Sequence, residues 1–301
     1  MTQSTVHRVT LYAVVTACLA FALIESRTLR GQTQKQLTPS NTTKPTSKTI
    51  GERRATVPPE SLLLTLAATR NEQLQTEMKW IFGGKEQRGW HLYKPLIHSL
   101  IAVDRATDTI EFAAALSRWQ KKTGLRPTGI LDEKSLYAMI GYWQSVRLKG
   151  RDYPSPEQLT IAPITDFYYP SRPEELRQVE RETYAAYRRM IMAAASDPAL
   201  KLNMAANEKF LKIISSFRSR EYQEKLRRES PKAGRAGLAV NSPHFTGRAL
   251  DIYVGGEPVE TKDSNRAIQI QTPVYLWLVQ NAHRFGFRPY FYEPWHWEYV
   301  R

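Results

Sequence analysis

Two histidines and two carboxylates near the C-terminus, His244, Asp251, Glu293 and His296, stand at spacings that suit metal-assisted hydrolysis. The first pair lies in Ser242-Pro243-His244-Phe245-Thr246-Gly247-Arg248-Ala249-Leu250-Asp251, which runs directly into Ile252-Tyr253-Val254. On a strand beginning near Ala249, successive side chains point to opposite faces. Leu250, Ile252 and Val254 then share an apolar face, and Asp251 is held on the other with Ala249 and Tyr253. His244 sits upstream, on a turn where Pro243 and Gly247 bend the backbone towards the strand. The second pair lies in Glu293-Pro294-Trp295-His296-Trp297-Glu298. Alternation places His296 and Glu298 on one face and Trp295, Trp297 and Tyr299 on the other, with Glu293 a turn of loop ahead of His296. Two histidines and an aspartate supply three ligands and leave a fourth position for water, the pattern of a catalytic zinc (Zn2+) site. Glu293 is then the candidate base for that water. Amide hydrolysis also needs a donor at the developing oxyanion. Arg218, closing the run Phe210–Phe217, suits that role or the bidentate grip of a substrate carboxylate.

These residues need elements to hold them. Pro173 to Ala195 reads as a helix, with Pro173 at its start, Glu174 and Glu175 in its first turn and Asp197-Pro198 ending it. Phe210 to Phe217 reads as a strand and Glu221 to Glu229 as a helix. Pro231 to Ser242, with Gly234 and Gly237, reads as a loop. Pro273 to Phe285 is a helix closed by Gly286, and Arg288 to Val300 a last strand region. This mixture predicts an α+β domain on a small sheet over 173–301, reached through a connector at 146–172. Upstream, Leu62, Leu63, Leu66 and Leu74 suggest an amphipathic helix ending near Gly83-Gly84. Leu92 to Val103, Ile110 to Lys122 and Glu133 to Ile140 follow as helices. In the helix from Ile110 to Lys122, Phe112, Leu116 and Trp119 share one face.

The chain of 301 residues is long enough for two ordinary domains, and its 42% hydrophobic content predicts real cores. Its net charge of +14, from 43 Lys and Arg against 29 Asp and Glu, implies attraction to an anionic surface. Val9 to Ile24 is almost wholly apolar but shorter than the ~20 residues of a spanning helix. It suits the core of a signal peptide, with Ala20-Phe21-Ala22 as a cleavage site. Val15-Thr16-Ala17-Cys18 also resembles a bacterial lipobox, which would make Cys18 a lipidated N-terminus, although the apolar Leu19 to Ile24 after it is atypical. Residues 1–24 are therefore expected to be a signal peptide or membrane anchor, and the protein to be exported to the periplasm or cell envelope. Residues 25–58 are rich in Thr, Ser, Gln, Lys and Pro and are expected to form a disordered linker. Cys18 is the only cysteine, which excludes an intrachain disulfide and a cysteine-rich metal site. Export and the lack of any nucleic-acid-binding motif argue against nucleic acid as the anionic partner.

Two resemblances add to this reading. Phe112, Leu116, Trp119-Gln120, Gly124-Leu125, Thr128-Gly129, Leu131-Asp132 and Ser135-Leu136 resemble the second half of a peptidoglycan-binding domain of the small three-helix type. Trp119 stands for that family's aromatic residue before Gln, and Thr128 for its usual Asp. The resemblance implies a small all-α three-helix domain at 59–145 with peptidoglycan glycan as its partner. Further on, three segments resemble the VanY-like zinc D-alanyl-D-alanine carboxypeptidases in the right order. They are Ser215-Ser216-Phe217-Arg218-Ser219 with Glu221-Tyr222-Gln223, then Ser242 to Asp251, then Glu293 to His296. Asn281-Ala282 and Phe285-Gly286-Phe287 resemble the helix before that family's last strand. The family implies a small antiparallel sheet with flanking helices, the D-Ala-D-Ala metallopeptidase type. It further implies zinc on His244, Asp251 and His296, Glu293 as base, and Arg218, Ser242 and Gln223 in contact with a peptidoglycan stem peptide. Carboxypeptidase action is the expectation, beside endopeptidase action on D,D or L,D bonds and plain cell-wall binding. His283, ahead of Gly286, reads as a structural or surface residue.

Overall fold

The computed structural model describes residues 59–229 and 241–300. The expected export segment at 1–24, the linker at 25–58 and all but the end of the loop at 231–242 lie outside the described residues.

The first unit is helical and includes a hairpin. It comprises α1 (Glu60–Glu77), β1 (Lys79–Phe82), β2 (Lys85–Arg88), α2 (Lys94–Ile101), α3 (Ile110–Lys122) and α4 (Glu133–Ser145). The helix expected to reach Gly83-Gly84 ends at Glu77; both glycines have positive φ and turn the antiparallel β1–β2 hairpin instead. Leu62, Leu63 and Leu66 are exposed rather than buried. The buried face of α1 is Ala67, Ala68 and Asn71, because small side chains let it pack closely on Ala113 of α3. Thr109 caps α3 by accepting the Phe112 N–H at 3.2 Å, while Lys121 and Lys122 sit at its negative end.

Two of the motif residues of this unit, Gln120 and Gly129, hold a loop in place. Gln120 is buried and binds four neighbours, donating to the Ile130 carbonyl and Ser135 Oγ, each at 2.9 Å, and to Thr128 Oγ1 at 3.4 Å, and accepting the Gly129 N–H at 2.9 Å. Asn71 clamps the same loop through the Gly129 carbonyl at 2.8 Å and the Leu131 N–H at 2.7 Å. Gly129 has φ +70, and a Cβ there would stand 2.8 Å from the Ala113 carbonyl oxygen.

The second unit is built on a four-stranded antiparallel sheet, with the order β5 (Ile213–Ser215), β6 (Ala249–Ile252), β8 (Glu293–Tyr299), β7 (Phe287–Tyr290). Helices α5 (Arg181–Ser196), α6 (Pro198–Ala206) and α9 (Pro273–Asn281) bury Tyr187, Met190, Leu200, Val274 and Leu278 in one core with Ile213, Leu250, Ile252, Phe287 and Trp297 of the sheet. Two further helices, α7 (Arg220–Glu229) and α8 (Asp263–Gln269), complete the unit. The helix expected from Pro173 starts only at Arg181. Before it stands β4 (Gln178–Glu180), paired with β3 (Leu159–Ile161). That backbone is drawn out straight because Gln178 O accepts the Phe217 N–H and the Glu180 N–H donates to Gly247 O. Glu180 Oε2 then caps α5 at the Thr183 N–H, 2.8 Å away.

The core continues from one unit into the other. Phe291 packs on Phe82, Tyr93 and Trp143 of the helical unit, with ring centroids 4.9, 5.4 and 6.0 Å apart. Buried Arg266 reaches the Tyr93 hydroxyl at 3.4 Å.

Replacing Gln120 by Ala removes four hydrogen bonds, two of them fully buried, and leaves a gap beside the loop. We expect a loss of about 2–4 kcal/mol in urea unfolding followed by tryptophan fluorescence. A change within about 0.5 kcal/mol would show that the loop is held by other means.

Candidate metal centre

Asp251 lies at the centre of the site. Alternation along β6 turns Leu250 and Ile252 into the core and Asp251 to the opposite face, where the antiparallel register sets it beside His296 of β8. β5 contributes Ser215, in register with Asp251. His244 arrives from a single 3-10 turn, Pro243–Thr246, stopped by Gly247 at φ +68. A Cβ on Gly247 would come within 2.9 Å of the Glu180 backbone nitrogen, so only glycine allows this loop to lie against β4.

His244, Asp251 and His296 are fully buried, and their ligand atoms all lie within 4.8 Å of one another. The His244 Nδ1–H donates to the Ser216 carbonyl at 2.7 Å, which turns Nε2 towards Asp251 Oδ2 at 3.4 Å. That Nε2 has no hydrogen-bond partner among the described residues. His296 Nδ1 stands 2.9 Å from Asp251 Oδ1, and its Nε2 stands 3.2 Å from Glu298 Oε1. Zinc ligands sit about 2.0–2.2 Å from the ion, so atoms this close together fit one ion between them. The orphaned Nε2 and the carboxylate behind His296 fit the same reading, since a ligating imidazole has its other nitrogen held by an acceptor.

The electrostatics agree with the ligand assignment. Burial lowers His244 to about 4, against the opposing pull of Asp251, so it is neutral at physiological pH. Burial alone would raise Asp251, but His244 and His296 hold it well below the usual carboxylate range. Burial would lower His296, yet its hydrogen bonds to Asp251 and Glu298 prevail and raise it to about 9. Ligation of a metal through Nδ1 would displace that proton and leave Nε2–H on Glu298.

Glu293 begins β8 and is fully buried, with neither carboxyl oxygen hydrogen-bonded among the described residues. Burial pushes it up to about 8, against the opposing charges of His296, Arg147 and Arg218. It reaches this position through a break in the ladder. Between Pro289 and Tyr290 of β7 the partner passes from Trp297 directly to Glu293, so strict alternation fails over Pro294–His296. The same break separates the two tryptophans, which were expected on one face. Trp297 joins the main core, whereas Trp295 packs with Ile214, Tyr253 and Val259.

Arg218 is buried beside the ligands. Its Nη2 donates to Asp251 Oδ2 at 3.2 Å, and both Nε and Nη2 donate to Ser215 Oγ at 3.1 and 3.0 Å. Ser242 is buried and its Oγ accepts the His244 N–H at 3.3 Å, which caps the turn carrying the ligand. Gln223 is buried on α7. His283 is exposed, as expected. Three contributors escaped the sequence reading. Glu298 shares the face of His296 by alternation, but its function was not read from that. Ser216 acts through its backbone, which leaves no signature in residue type. Arg147 lies 151 positions from the carboxylate it binds, Glu298.

A His–Asp–His set on the face of an antiparallel sheet, with a buried carboxyl and an arginine beside it, defines a candidate metal-dependent hydrolase site. Residues 177–301 match the family VanY, D-alanyl-D-alanine carboxypeptidase, which bears out the resemblance of the motifs over that part of the chain. Two solved structures are similar to the chain. One is the LdcB LD-carboxypeptidase, whose structure is described as revealing the molecular basis of peptidoglycan recognition. It is 26% identical over 51% of this chain and 72% of that one, with a TM-score of 0.36. The other is VanYB in complex with D-alanine-D-alanine, 22% identical over 41% of this chain and 72% of that one, with a TM-score of 0.28. Among curated proteins, none matches the chain.

The raised Glu293 gives a pH-dependent stability. Its carboxyl is ordinary near 4.5 when unfolded and about 8 when folded, so the stability of the protonated form is intact below about 4.5 and is lost as pH rises through 8. With a chelator present, Glu293→Gln should therefore stabilise the protein by on the order of 2–4 kcal/mol more at pH 8 than at pH 5, read by urea unfolding. An equal effect at both pH values would contradict the buried, protonated carboxyl.

Proposed function

We propose that the protein is an exported zinc carboxypeptidase that removes the terminal D-alanine from peptidoglycan stem peptides. The observation that carries this reading is the buried His244, Asp251 and His296 set, placed within the residues that match the D-alanyl-D-alanine carboxypeptidase family. A zinc ion on these ligands supplies Lewis acidity for the hydrolysis. Glu293, in its ionised form, would take the proton of the attacking water and return it to the departing amine; burial gives it the raised proton affinity that favours this uptake. Arg218, fixed by Ser215 and Asp251, offers its guanidinium to the developing oxyanion or to the terminal carboxylate of the peptide. Ser242 holds the turn that carries His244 and, with Gln223, is proposed to line the peptide's path. The helical unit is proposed to bind glycan, and residues 1–24 to direct export, with membrane attachment through that segment or lipid on Cys18. None of the helices among the described residues is long and apolar enough to cross a membrane.

The purified chain with zinc should release D-alanine from stem peptides ending in D-Ala-D-Ala, followed by mass spectrometry of the shortened product. Release of neither D-alanine nor a shortened peptide would overturn the proposal. Cleavage inside the cross-link, or before a single D-alanine, would reassign it to endopeptidase or L,D action. Glu293→Gln should lower kcat by about 10²–10⁴-fold with zinc content retained. Loss of the metal instead would show that Glu293 is a ligand.

A further inference from the structure

Glu298 is a fully buried carboxylate whose partners are about 150 positions apart in sequence. Its Oε1 holds His296 Nε2 at 3.2 Å and also pairs with the Arg147 guanidinium. Its Oε2 accepts the Leu148 N–H at 3.0 Å. Arg147 and Leu148 follow Val146, the C-terminal cap of α4, and so open the connector where it leaves the helical unit, outside the residues that match the carboxypeptidase family. Among the described residues, the ion pairs of Glu298 are with Arg147 and His296.

Arg147 is itself held on two sides. It donates to Gln144 Oε1 of α4 at 2.7 Å, and its guanidinium lies 4.1 Å above the Tyr290 ring of β7. The helical unit from which it comes is seated on Phe291 by Phe82, Tyr93 and Trp143. The path from helical unit to ligand is therefore continuous: α4, Arg147, Glu298, His296. Each step is a direct contact between fixed groups.

A ligating imidazole is oriented by the acceptor on its far nitrogen. That acceptor is a buried anion, which needs its own counter-charge and donors to stay in place. Resting on the reading of His244, Asp251 and His296 as metal ligands, we propose that Arg147 and the Leu148 N–H are positioning groups for His296. They act through Glu298, so the metal centre is complete only while the helical unit is docked. The helical unit then has a second task besides any contact with the wall, namely to finish the site that its neighbour carries.

The test is a double-mutant cycle on the full chain, with zinc affinity measured by competition with a chromophoric chelator. Arg147→Ala should weaken zinc binding by about 10–100-fold. Arg147→Lys, which keeps the charge but not the planar fork, should fall between it and the unsubstituted protein. In the Glu298→Gln background the carboxylate is gone, so Arg147→Ala should change affinity by less than about 3-fold. An unchanged affinity in Arg147→Ala would overturn the proposal. So would an equal loss in both backgrounds, which would mark a general folding defect. If the unsubstituted chain binds no zinc, the metal reading falls and this one with it. Tight binding by the unsubstituted chain together with an unaffected Arg147→Ala overturns this proposal alone.

Discussion

A carboxylate sealed from water costs several kcal/mol unless its charge is met by partners of fixed geometry, and the second unit is arranged around one such group. Asp251 takes His296 on one oxygen, and His244 and Arg218 on the other. The turn at His244, the end of β5 and the middle of β8 all converge on it, each held by backbone bonds that do not involve the side chains. Ser216 fixes the ring of His244 through its carbonyl, and the His244 carbonyl in turn accepts the Arg218 N–H at 3.2 Å. Removing any one partner leaves the others facing an uncompensated charge. This interdependence explains why residues so far apart in sequence share one buried cluster.

The same logic extends outward. His296 needs Glu298, and Glu298 needs Arg147, so the demand for charge compensation crosses from the sheet to the end of α4. The two units are joined by an aromatic contact around Phe291 as well as by the chain between them. The helical unit and the sheet are therefore mechanically linked by construction of the fold. Glu293 stands outside this compensation. It is buried beside the cluster without a hydrogen-bond partner among the described residues, and burial raises its proton affinity well above that of an ordinary carboxylate.

The candidate ligands could be picked out in the sequence because their spacing follows a strand period and a turn, both local properties. Asp251 alternates against Leu250 and Ile252, and the structure places these residues as that period requires. Where locality failed, so did the reading. Trp295 and Trp297 were expected on one face, but a break in the β7–β8 register separates them. The apolar leucines of α1 suggested its buried face, yet close packing on Ala113 selected Ala67 and Ala68. Residues 178–180 looked helical from their neighbours, and hydrogen bonds to Phe217 and Gly247 made them a strand. Arg147 gave no signal at all, since its partner is set by how two units dock. In the helical unit, Gln120 and Gly129 were read through a binding-domain resemblance, and the structure shows them holding a loop.

The central claim is that His244, Asp251 and His296 bind one metal ion together. Crystals of the full chain grown with zinc, measured at the zinc absorption edge, test it directly. The account predicts one strong anomalous peak about 2.0–2.2 Å from His244 Nε2, His296 Nδ1 and an Asp251 oxygen, with Glu293 nearby but not coordinated. A peak elsewhere, or none at this cluster with zinc in excess, would contradict it.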